Sequence, residues 1–208
     1  MKQSSLFTEN AETENSAHQS QFLLDGLQYQ EDLLSDADAT SLLNTLIHEL
    51  DWQQPYITIA GKRLPIPRLQ HWQGDGELRY RYSGETFVSR PWHPKILALK
   101  NVVELVTKAQ FNSVLCNLYR NKNDSVAWHA DDEPELGPSP LIASISLGAS
   151  REFQIKHKSA SSKKMKIQLA HNSLLVMPAG FQAQWLHQLP KCKAGCSSRI
   201  NLTFRYIY

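Results

Sequence analysis

Long apolar runs are missing from this sequence. None approaches the roughly 20 residues that span a bilayer, so no membrane-spanning helix is expected. The first residues, MKQSSLFTENAETENSAHQSQ, are polar and lack the apolar stretch of a secretion signal. Cysteine is scarce: three residues, an odd number, give no disulfide framework. Together these absences lead us to expect an intracellular, reducing setting, cytoplasmic in a bacterium or nuclear and cytoplasmic in a eukaryote. Charge of one sign is not in excess either, because 22 basic and 20 acidic side chains leave a net charge of +2. The whole-molecule field therefore does not announce a nucleic-acid partner. Internal repeats and long linkers are absent as well, so one compact domain over residues 22–208 is expected, as a monomer, behind a disordered or loosely attached tail over residues 1–21.

What is present divides into two halves. Asp36 to Leu50 is predicted to be a helix, with acidic residues at its start and Leu42, Leu43, Leu46, Ile47 and Leu50 at helical spacing. Pro94 to Ala109 is predicted as a second, with Pro94 in the first turn and Ile96, Leu97, Leu99, Val102, Val103 and Val106 forming its apolar side. Between them, residues 53–90 are punctuated by Pro and Gly and suit short hairpins and mobile loops. From Phe111 onward the pattern switches to about eight short strands separated by turn residues. The expected class is α+β, mainly β: a jelly roll (double-stranded β-helix) over residues 111–208, buttressed by N-terminal helices.

Two segments carry chemistry. His129 and Asp131 stand two residues apart, so on a strand they share a face. With one distant histidine they would form a 2-His-1-carboxylate set, which leaves positions open on iron. A zinc hydrolase could use the same ligands. Of the downstream histidines, His157 sits among lysines and His171 lies at a predicted turn. His187 follows an aromatic-rich strand twelve residues before Arg199, near enough for neighbouring strands, and is the choice. In the last strand the odd positions are Arg199, Asn201, Thr203 and Arg205, and the even ones Ile200, Leu202, Phe204 and Tyr206. If the polar face looks inward, its guanidiniums need anionic partners, and a small dicarboxylate matches planar arginine forks. A redox-inert zinc site has no use for such a clamp. Asn117 and Tyr119 repeat the i, i+2 geometry on the first roll strand. Cys192 and Cys196 are two ligands short of a structural zinc site.

With these residues in view, the chain resembles the AlkB family of iron(II)- and 2-oxoglutarate-dependent nucleic-acid dealkylases over roughly residues 55–208. The carrying segments are Asn117 to Asn121, His129-x-Asp131-Asp132-Glu133 and Arg199-x-Asn201-x-Thr203-Phe204-Arg205. It is most similar to the single-strand-preferring eukaryotic-type homologue. The resemblance implies Fe(II) held by His129, Asp131 and His187, with 2-oxoglutarate and O2 as cosubstrates. It implies Arg199 on the distal carboxylate of 2-oxoglutarate, within a pocket completed by Asn117, Tyr119, Asn201 and Arg205. It makes residues 53–90 a nucleotide-recognition lid, with Tyr80, Tyr82 and Ser83 on the substrate side and Glu133 reaching the damaged base. A flipped base needs an aromatic wall, to which Trp72 belongs, and Asp132 and Glu133 suit a cationic base.

The implied reaction is oxidative demethylation of 1-methyladenine and 3-methylcytosine in single-stranded DNA, releasing formaldehyde, succinate and CO2, with RNA and duplex DNA left open as further targets. Duplex-acting relatives carry an aromatic finger where this chain reads Ile59-Ala60-Gly61, and Ala60 cannot wedge a base stack. The alternative is an oxygenase of the same kind acting on a protein or small molecule.

Overall fold

The computed structural model describes residues 21–208 except 60, 83, 84, 161 and 194, with backbone alone at 22, 59, 80–82 and 85–87. The expected tail over residues 1–21 lies almost wholly outside this range, as do Ala60 and Ser83. The elements run β1 (Gln21–Phe22), β2 (Gln28–Gln30), α1 (Asp36–Glu49), β3 (Tyr56–Ile59), β4 (Lys62–Pro65), β5 (Leu69–Gly74), β6 (Arg79–Tyr82), β7 (Glu85–Val88) and α2 (Pro94–Thr107). The second half contains β8 (Ser113–Tyr119), β9 (Val126–His129), β10 (Ile142–Gly148), β11 (Arg151–His157), β12 (Lys164–Leu169), β13 (Ser173–Met177), α3 (Phe181–Gln184), β14 (Trp185–Leu189) and β15 (Arg199–Arg205). No helix among the described residues is long and apolar enough to cross a membrane.

Local chemistry explains the helix bounds. Ser35 caps α1 by accepting a hydrogen bond from the Asp38 backbone N–H at 3.1 Å, and Asp36 and Asp38 complement the dipole in its first turn. In α2, Pro94 occupies the first turn, and the helix ends at Lys108, which adopts a left-handed conformation with φ of 56°. The apolar sides of both helices bury Ala39, Leu42, Leu46, Ile96, Leu99 and Val103.

Two antiparallel sheets form the roll. The major sheet has the order β1-β2-β13-β10-β15-β8-β5, and the minor sheet β12-β11-β14-β9. One core lies between the helices and the major sheet and includes Val114, Cys116, Ile145, Ile200, Leu202 and Phe204. A second lies where the sheets face each other and includes Phe153, Ile155, Leu175, Trp185 and Leu189. Strand β15 is therefore buried on both faces, with its apolar residues against the helices and its polar ones toward the minor sheet.

Two expectations are corrected by this topology. Residues 53–90 are not all hairpin and loop: β3–β4 and β6–β7 are two-stranded hairpins, but β5 pairs with β8 as the edge of the major sheet. Strands β14 and β15 are not neighbours either, since the chain between them crosses from the minor sheet to the major one.

Candidate metal and cosubstrate site

His129 closes β9, and the chain leaves the strand before Asp131, so the shared-face argument holds for the approach and not for a continuous strand. The third group arrives from β14, where His187 pairs directly across from His129 beside a register shift between His187 and Leu189. The two imidazole centroids are 4.3 Å apart, and His129 Nε2 is 3.7 Å from an Asp131 oxygen. One potential ligand atom from each of the three residues lies within 4.8 Å of the others. His129 Nδ1 is 2.8 Å from the Ala127 carbonyl, which can only accept, so Nδ1 carries the proton and Nε2 keeps its lone pair for a metal.

Electrostatics prepare the other two groups. Burial pushes His187 down to about 3, with the nearby His129 acting in the same direction, so its imidazole is neutral and able to ligate. Its Nδ1 is buried without a hydrogen-bond partner. Burial alone would raise the Asp131 carboxyl, but Arg205 and the two histidines outweigh it and hold the group at about 2. Arg205 donates to Asp131 Oδ2 at 3.1 Å, while the Asp131 backbone N–H donates to Gln182 Oε1 at 3.0 Å. Two imidazoles and one carboxylate on a common side are the donor set that suits Fe(II) with open positions.

A cavity of about 300 Å³ opens beside this triad, between the sheets, and the polar face of β15 lines it with Arg199, Asn201, Thr203 and Arg205. Arg199 is 2% exposed, and no carboxylate among the described residues is paired with it. Its Nε has no partner, and its NH2 donates to Ser146 Oγ at 2.8 Å. Burial lowers the guanidinium to about 10, still charged at neutral pH. Such a group calls for a carboxylate, so the residues fit the distal end of a dicarboxylate. Asn201 donates to Ser144 Oγ at 2.7 Å, and Thr203 donates to Asn201 Oδ1 at 3.0 Å. Asn117 and Tyr119, opposite Asn201 and Arg199 in register, also line the cavity. Arg205, expected in the dicarboxylate pocket, reaches the cavity but spends one donor on Asp131.

The substrate-side residues separate. Trp72 and Glu133 line the cavity, and Glu133 Oε2 is buried without a partner. Asp132 does not line it; its exposed carboxylate is ion-paired with Lys158 at 3.0 Å. The backbone of Tyr80 and Tyr82 lies in β6, and the placement of their side chains is outside the description, as is Ser83. Among the downstream lysines, Lys156 lies 4.3 Å from the Trp128 ring centroid. Cys192 and Cys196 are joined in a disulfide, with Cα atoms 6.4 Å apart, instead of being the free thiols expected of a reducing setting. They offer no second metal site.

Several contributing residues escaped the sequence reading. Arg68 Nε and Gln70 Nε2 both donate to Asn117 Oδ1 at 2.9 Å, which turns the Asn117 amide group. Ser144 and Ser146 stand opposite Thr203 and Asn201 on β10. Their alternation in Ile142-Ala143-Ser144-Ile145-Ser146 was the available signal. Gln182 had none, because its role depends on a tertiary contact 51 residues away.

The profile of the 2OG-Fe(II) oxygenase superfamily matches residues 26–205. Alpha-ketoglutarate-dependent dioxygenase alkB homolog 3 of Bos taurus is 43% identical over 180 residues, covering 82% of this chain and 62% of that protein. DNA oxidative demethylase ALKBH2 of Mus musculus is 37% identical over 185 residues, covering 84% of this chain and 77% of that protein. The chain thus spans less than two thirds of the length of the alkB homolog 3 relative. The solved structure of OsALKBH1 superposes with a TM-score of 0.66 at 16% identity, over 90% of this chain and 100% of that one, a likeness of fold.

Proposed function

Because the chain belongs to the 2OG-Fe(II) oxygenase superfamily and, within it, to the AlkB homologues, we propose that it is an Fe(II)- and 2-oxoglutarate-dependent dioxygenase that removes N-alkyl groups from nucleic-acid bases. Its proposed substrates are 1-methyladenine and 3-methylcytosine in DNA, preferentially single-stranded, with RNA as a second target. The observation that carries this reading is the joining of two sites in one cavity: a His129, Asp131, His187 donor set beside a buried guanidinium with no anion of its own. His129, Asp131 and His187 would hold the iron, and Arg199, Asn117, Tyr119, Asn201 and Thr203 the 2-oxoglutarate. When bound, these groups supply O2-dependent oxidation of a C–H bond, with 2-oxoglutarate leaving as succinate and CO2.

The chain's own residues supply position and charge. Arg205 and Gln182 fix Asp131, one through a carboxylate oxygen and the other through the backbone N–H. Arg199 offers a guanidinium already desolvated, so an entering carboxylate meets a strong field. On the open side, Trp72 gives an aromatic wall for a base outside its stack, and the Glu133 carboxylate favours a cationic base over its neutral, unmethylated counterpart. Hydroxylation of the N-methyl carbon gives a hemiaminal, which collapses to formaldehyde and the restored base. The similarity to alkB homolog 3 and the Ala60 position support the preference for single strands.

The test is formaldehyde release coupled to succinate formation from a single-stranded oligonucleotide carrying 1-methyladenine, supplied with ferrous iron, ascorbate and 2-oxoglutarate. Methyl-dependent release of both products is expected. Succinate without formaldehyde from methylated and unmethylated strands alike would transfer the activity to a protein or small-molecule substrate. No 2-oxoglutarate turnover at all would refute the site.

A further inference from the structure

Arg199 is not the only guanidinium buried in this part of the roll. Arg151, the first residue of β11, is 2% exposed. Its NH2 donates to the backbone carbonyls of Asp124 at 2.9 Å and Pro190 at 2.6 Å, and its NH1 is buried with no partner. The acidic side chain that acts on it is Asp124, and that carboxylate is already shared: Arg120 donates to it from Nε at 2.8 Å, from NH2 at 3.0 Å and from its backbone N–H at 2.9 Å. The Arg151 guanidinium carbon lies 5.8 Å from the Tyr119 ring centroid, and that of Arg199 lies 5.3 Å from the same centroid. Two buried like charges thus converge on one aromatic ring. The charge of Arg151 also reaches Arg199 and, with burial, helps lower it. Buried cations so arranged are costly unless a further anion joins them.

We propose that Arg151 is a positioning residue for the cosubstrate: from outside the cavity it holds Tyr119 in place beside Arg199 and adds a second positive charge to the wall that receives the distal carboxylate. Arg151 is not among the cavity-lining residues, so it acts through Tyr119 and through its field, without touching the ligand. Its charge favours 2-oxo acids with a distal carboxylate over those without one. The inference rests on the assignment of the Arg199 pocket to 2-oxoglutarate.

The test uses the full chain loaded with Mn(II), which does not turn the cosubstrate over, and calorimetric titration with 2-oxoglutarate and with 2-oxobutyrate, which lacks the distal carboxylate. Arg151→Gln keeps donors for the two carbonyls and removes the charge, Arg151→Met removes both, and Arg151→Lys keeps the charge. Loss of the charge is expected to weaken 2-oxoglutarate about tenfold or more, with 2-oxobutyrate and Mn(II) affinities unchanged. Lysine should restore most of the loss. In turnover the loss should fall on the KM for 2-oxoglutarate and spare kcat. Either folded neutral variant decides the matter. Wild-type affinity for 2-oxoglutarate, or an equal loss for both 2-oxo acids, overturns the proposal. Arg199→Gln, measured in parallel, separates two failures. If it too binds 2-oxoglutarate normally, the pocket assignment falls. If it loses binding while the neutral Arg151 variants do not, only the role of Arg151 falls.

Discussion

At the scale of single residues, the proposed metal triad is held in part by a glutamine that carries no charge and never needs to touch the metal. Gln182 is 1% exposed, accepts from the Asp131 backbone N–H at 3.0 Å and donates to the Met177 sulfur at 3.3 Å. Asp131 has left the β9 ladder, so no strand partner fixes its backbone, and this side-chain acceptor takes that role. Arg205 fixes the carboxylate of the same residue. Replacing Gln182 with Ala leaves the Asp131 N–H buried without an acceptor, at a cost of about 1–3 kcal/mol in stability. Metal affinity should fall further than packing alone predicts, by about 10–100-fold, as for other partners that orient metal ligands. Urea unfolding without metal and Mn(II) titration of the folded variant give the two quantities separately. Unchanged Mn(II) affinity would show that Asp131 is held by Arg205 alone.

At the scale of elements, β15 shows why part of this molecule is legible in its sequence. A strict alternation of polar and apolar residues over Arg199 to Arg205 tells a strand from a helix and assigns each side chain to a face. What alternation leaves open is whether the polar face meets water or a cavity. Here the minor sheet covers it, and Arg199 and Thr203 are buried. The helices were legible for a similar reason, since the acidic start of α1, Pro94 in α2 and a 3.6-residue apolar spacing are local signals. Strand β5 was not, because Gly and Pro on either side disguise a ladder to β8 that depends on distant residues. The neighbour relation of β14 and β15 failed too: a short connection brings two strands close in sequence and is silent on which sheet each joins. The two faces of β15 are mechanically one object. Phe204 is fully buried against Phe111, with ring centroids 6.1 Å apart, while its neighbours Thr203 and Arg205 face the cavity. Phe204→Ala should therefore cost about 3–5 kcal/mol in denaturant unfolding and also weaken 2-oxoglutarate binding, although Phe204 never meets the ligand. A stability loss with unaltered binding would show that the faces are uncoupled.

At the scale of the whole molecule, the site lies between two sheets whose strands alternate along the chain, and one of its guanidiniums has no carboxylate of its own. His129 and His187 belong to the minor sheet, and Arg199 and Arg205 to the major one. Arg205 is tied across the gap to Asp131, whereas Arg199 has no carboxylate within the described residues. Ligands that join the sheets bind only the folded chain, so each should stabilise it by mass action. At a hundredfold excess over its dissociation constant, one ligand contributes about 2.7 kcal/mol. For a chain of 208 residues, each kcal/mol raises Tm by roughly 2–4 °C. Thermal unfolding with Mn(II) alone, and then with Mn(II) and 2-oxoglutarate, should show two successive increments of several degrees. His187→Ala should remove the first increment, and Arg199→Gln should remove the second while preserving the first. That pattern would assign the metal to one sheet and the dicarboxylate to the other. A single increment lost equally in both variants would mean that metal and dicarboxylate do not bind as separate units, and a Tm unmoved by either ligand would mean that the cavity binds neither.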